Sequence, residues 1–150
     1  MKKLVIGLVM LFVVGCAGNT VLTNIISLEP KVQQAIVNFQ TSLDQHKADL
    51  QALTCGTDDA TPPQPRNCYV ALNVWAGQMS TWNTMLTDAT AALNVTSART
   101  AITNMLSSVE GWINDKLLKL PQNIQVWALI GMEALRTTIL LMQNDLPVGG

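Results

Sequence analysis

Apolar side chains recur along this chain at steps of three and four, the repeat of a helix face rather than the two-residue alternation of a half-buried strand. Four segments carry the pattern. In the first, Val32, Ile36, Phe39, Leu43, His46, Leu50 and Leu53 form a seam of the 3.5-residue kind. Ser27, Glu29 and Pro30 stand ahead of it as a cap, a first-turn acid and a helix-starting proline, so the pattern predicts a helix from Ser27 to about Thr54. Asn67 is placed to cap a second helix along Leu72, Trp75, Met79, Trp82, Leu86, Ala89 and Leu93. Thr96 or Ser97 would cap a third, with Ile102, Leu106, Val109, Ile113, Leu117 and Leu120 on one face. Pro121 stops that helix and opens the fourth. From Ile124 to Met142 the fourth is apolar apart from a stripe of Gln122, Gln125, Glu133, Arg136 and Gln143, which predicts the most buried helix of the set.

Every proline falls at a predicted boundary or in the segment 56–67, and no period-2 run occurs. The expected fold is therefore all-α. Short connections at Asn94 to Thr96 and at Leu120 to Pro121 favour antiparallel neighbours, giving an up-down-up-down four-helix bundle with one longer loop between helices 1 and 2.

Charged residues make up 13% of the 150-residue chain and the formal net charge is −1, with no basic cluster, so nothing would draw it onto nucleic acid. One His, three Cys and no glycine-rich loop leave little material for catalysis, and no enzyme, metal or cofactor is expected. His46 and Asp49 could offer two ligands to a metal, but Asp44, Glu110, Asp115 and Glu133 share no spacing with them. Asp58 and Asp59 lack the pattern of a calcium loop. Asn94-Val95-Thr96 matches a glycosylation acceptor and serves better as helix punctuation.

The first residues read as an address. Met1-Lys2-Lys3 is a basic start, Leu4 to Val14 is an apolar stretch too short for a stable span, and small Gly15 stands directly before Cys16. The run Val13-Val14-Gly15-Cys16 resembles the lipobox of bacterial lipoproteins. That resemblance, which covers the targeting segment alone, implies cleavage before Cys16 and diacylation of its sulfur; with the first helix predicted from Ser27, a tether up to Ile26 and a helical domain over residues 27–150 are expected. Loss of Lys2 and Lys3 with the leader would take the formal charge down by two, from −1 to −3. Ala17, where an Asp would favour inner-membrane retention, points to the outer membrane. With Cys16 given to lipid, Cys55 and Cys68 remain to form one disulfide across a Pro- and Asp-rich loop, a staple contributing about 3 kcal/mol in the chain-entropy account.

Four indoles are many for so small a domain. Trp75, Met79, Trp82, Trp112 and Trp127 are read as core and rim residues or as an apolar groove that accepts a partner helix or a lipid tail. The leading functional reading is a lipid-anchored, non-enzymatic envelope protein that holds a partner protein at the membrane. In architecture this looks like the pilotin lipoproteins that escort secretins, and in size it is similar to phage lipoproteins that occupy a host receptor. A carrier of lipid or another apolar ligand is the second class. Membrane perturbation by the fourth segment, whose charges are Glu133 and Arg136, is the third.

Overall fold

The computed structural model describes residues 22–57 and 59–148. Cys16 and the lipobox lie outside them. The fold is mostly helical: α1 (Lys2–Gln45, described from Leu22 onward), α2 (Lys47–Gln51), β1 (Thr54–Thr57), β2 (Pro65–Asn67), α3 (Cys68–Ala91), α4 (Val95–Gly111) and α5 (Gln122–Asp145). Between α4 and α5 run a π turn, Trp112–Lys116, and a 3-10 turn, Leu117–Lys119.

The four long helices surround one core, with α1 packed on α3 and α5, and α4 packed on the same two. Glu29 pairs with Thr90, Gln33 with Asn83 and Asp44 with Tyr69, so α3 runs antiparallel to α1. Glu110 with Arg136 and Arg99 with Pro147 set α5 antiparallel to α4. Leu22, Ile25, Glu29, Val32, Ile36, Phe39 and Leu43 are buried in unbroken steps of three and four. The packed helix therefore begins before Ser27. Leu22 and Ile25, expected in a tether, are core residues, and the Ser27 hydroxyl donates to the Asn24 carbonyl inside the helix instead of capping its start. Pro30 sits within α1, where it removes one helix donor without ending the helix. The predicted first helix also breaks at His46, and α2 carries Leu50 into the core.

Asn67 caps α3 as predicted, its side chain accepting from Val70 N–H. Asn94 rather than Thr96 or Ser97 caps α4, accepting from Ser97 N–H. At the end of α4 the step between buried residues widens to five, from Trp112 to Leu117, because the Leu117 N–H reaches back five residues to the Trp112 carbonyl. That one-residue slip turns Trp112 into the core and leaves Ile113 half-buried.

The stapled segment, expected to be a loop without strands, carries a short hairpin within the mostly helical fold. Cys55 and Cys68 are bonded, with Cα atoms 4.7 Å apart. The bond holds the two arms side by side, so β1 and β2 pair antiparallel, Thr54 opposite Asn67 and Thr57 opposite Pro65. Gly56 at φ 79° supplies the left-handed residue that the irregular register between those pairs needs. The fourth helix is corrected too. In α5, Ile124, Ala128, Met132, Leu135, Ile139 and Met142 are buried, yet Val126, Leu129, Ile130 and Leu141 are exposed, so it is one-sided like its neighbours and not the most buried.

Candidate functional site

Two hollows contain three of the four indoles singled out in the sequence, Trp75 and Trp112 in one and Trp127 in the other. The larger, about 520 Å³, opens where the hairpin, α3 and the π turn meet. Its walls include Arg66, Val74, Trp75, Trp112, Lys116 and the residues of β1. The Trp75 indole N–H donates to Ser108 Oγ at 3.0 Å, so this nearly buried ring has its polar atom satisfied. Phe39 meets Trp75 edge-on at 5.1 Å, and Trp112 lies 6.1 Å from it. Lys116 Nζ stands 4.9 Å over the Trp112 ring. Lys119 pairs with Asp115 at 3.0 Å on the open surface. Arg66 forms no ion pair among the described residues, and Val74 is 56% exposed. The cleft thus joins an apolar wall to Arg66 and Lys116, which form no ion pair among the described residues, a surface suited to a segment carrying both apolar and acidic groups.

The second hollow, about 320 Å³, lies between α1 and α5 with Phe39 and Trp127 in its wall beside Ala35, Ser42 and Ile130. His46 stacks on Trp127 at 4.5 Å and an interplanar angle of 16°, and its Nδ1 lies 2.9 Å from the Ser42 carbonyl. The histidine is thereby engaged in packing at the break of α1. Asp49 is exposed. Among the described residues no three His, Cys, Asp or Glu side chains gather as a metal site.

The five aromatic and Met positions do not share one groove. Trp75 and Trp112 line the first hollow, Trp127 lines the second, Met79 is fully buried in the core, and half-buried Trp82 packs against that core. Arg66, Val74 and Lys116 escaped the sequence reading because the hairpin and the π turn bring them together, and neither feature has a residue signature here. Beside the hairpin, Tyr69 donates to Asp44 Oδ1 at 2.6 Å with Lys47 Nζ 5.1 Å from its ring. The hydrogen bond to Asp44, aided by desolvation and by the Asp44 charge, holds the phenol pKa above its ordinary value.

Compared with protein-family models, curated proteins and solved structures, the chain matches none.

Proposed function

We propose that this chain is a lipid-anchored, non-enzymatic protein of the bacterial envelope, an up-down-up-down four-helix bundle that holds a partner protein at the outer membrane. The anchor reading rests on Val13-Val14-Gly15-Cys16. The partner reading rests on one observation, the open cleft in which Val74 and Trp112 stand beside Arg66 and Lys116. Apolar surface there supplies affinity and the cations supply orientation. A service like that of the pilotins, escorting another envelope protein, fits such a surface, as does occupation of a receptor by a phage-type lipoprotein.

The test uses the full-length protein in bacterial membranes. Incorporation of a fatty-acid analogue is expected in the original protein and lost in Cys16→Ser; undiminished label in the variant rejects the anchor. A photoreactive residue in place of Val74 is expected to give a discrete protein adduct that Arg66→Glu with Lys116→Glu abolishes, while one in place of exposed Thr84 gives none. Absence of any adduct at Val74, or an adduct indifferent to the charge reversal, rejects the cleft as the partner site.

A further inference from the structure

The α3–α4 turn holds a large apolar side chain out into solvent. Leu93 has φ 54°, a left-handed conformation that glycine adopts freely and a leucine adopts at a steric cost. Two hydrogen bonds of the helix-ending turn impose it, Asn94 N–H to the Ala89 carbonyl at 2.8 Å and Leu93 N–H to the Thr90 carbonyl at 3.1 Å. The Leu93 side chain gains no burial in return, being 60% exposed.

Other exposed apolar residues share this end. The 2.6 Å hydrogen bond from Thr90 to Glu29 sets the last turn of α3 beside the early part of α1, where Ile26 is exposed. Arg99, in the first turns of α4, donates to the Pro147 carbonyl at 2.6 Å and so brings Val148, fully exposed, to the same end. From Thr90 to Ser97 the sequence has no charged residue. Arg99 and Glu29 are both engaged within the fold.

Leu22 is already 1% exposed, so packing has begun six residues after Cys16. At no more than about 3.6 Å per residue, those six steps keep Leu22 within about 22 Å of an acylated Cys16 whatever path they take. We propose that the end of the domain bearing Leu93, Ile26 and Val148 rests on the lipid surface, with Leu93 seated at headgroup depth. This inference rests on the anchor reading above. It leaves the cleft by the hairpin, at the other end of α3, directed away from the bilayer.

The full-length protein is reconstituted in vesicles of phosphatidylethanolamine and phosphatidylglycerol, with an environment-sensitive fluorophore on Leu93→Cys, on Val148→Cys, or on Leu118→Cys. Leu118 is likewise apolar and exposed, near the start of α5 and so at the opposite end. A blue-shifted emission quenched by spin-labelled lipid is expected at positions 93 and 148 and not at 118. Intact mass reports acylation in the same samples. Acylated protein with water-like emission at both 93 and 148 overturns the proposal and leaves the anchor standing, whereas missing acyl mass removes the anchor and the proposal with it. Shielding at 93 without lipid quenching overturns it in favour of a protein contact. Because Val148 lies beyond the last helix, its label serves where Leu93→Cys fails to fold.

Discussion

A methyl group on Gly131 would stand 2.7 Å from Cδ2 of Phe39, closer than a side chain can approach without displacement. Phe39 is 2% exposed and its ring packs against Trp75 at 5.1 Å and Trp127 at 6.0 Å, so moving it away from the new methyl disturbs two aromatic contacts. Gly131→Ala gains about 1 kcal/mol of helix propensity and suffers about 1–3 kcal/mol of overpacking, so a net loss of up to about 2 kcal/mol is expected. Thermal melts of the unacylated domain measure it. In a Phe39→Leu background the same change should cost less or turn stabilising, and an unchanged cost there would show that the two residues are not coupled.

The Glu29 carboxylate, 8% exposed, accepts the Thr90 hydroxyl at 2.6 Å in the interface of α1 and α3. Thr90→Val keeps the shape and deletes the donor, leaving a nearly buried acceptor at a cost of about 1–3 kcal/mol. Urea unfolding should show that loss for Thr90→Val and little loss for Thr90→Ser, which retains the hydroxyl. Equal stabilities of all three proteins would mean that solvent satisfies Glu29.

Tyr69 is the one tyrosine of the chain, so its phenolate absorbance titrates without overlap from another. The midpoint is expected above the ordinary 10.0, chiefly because the phenol proton is donated to Asp44. A folded-state pKa above the unfolded value favours the protonated form. The resulting stability is complete below the unfolded pKa and is lost as pH rises through the folded one. Asp44→Asn should bring the midpoint down, and a midpoint that does not move would assign the shift to some other cause.

Along α5, neighbouring apolar residues should respond oppositely to charge. Ile130 is 67% exposed, so Ile130→Asp should leave the melting curve within about 0.5 kcal/mol of the original. Met132 is fully buried. Met132→Asp puts an unpaired charge in a dry interior, a cost of several kcal/mol against a total stability of about 5–15 kcal/mol, and the domain should unfold. Circular dichroism with thermal melting of the unacylated domain separates the two. Unfolding by Ile130→Asp would mean that the outer face of α5 is covered.

The steps of three and four sufficed to reveal the long helices, since a helix face needs nothing beyond local spacing. Asn67 was legible as a cap, and the pairing of Cys55 with Cys68 followed once Cys16 was set aside for lipid. Other features depended on partners far along the chain. The seam of α1 reaches back to Leu22 through Glu29, and a carboxylate at a core position reads as a helix start until Thr90, 61 residues away, is seen to bond it. The π turn slips the face from Ile113 to Trp112 by a hydrogen-bond choice that no residue type announces. Strand pairing in the hairpin follows from the disulfide drawing two arms together, and the cleft beside it follows from both. In α5 the stretch is so rich in apolar residues that composition cannot separate the covered face from the open one. Packing against α1 and α4 made that choice, burying Met132 and leaving Ile130 in solvent. Local periodicity fixes which segments are helices, because each turn is closed by its own backbone; which face is covered and where the hollows open depend on how the helices fit one another.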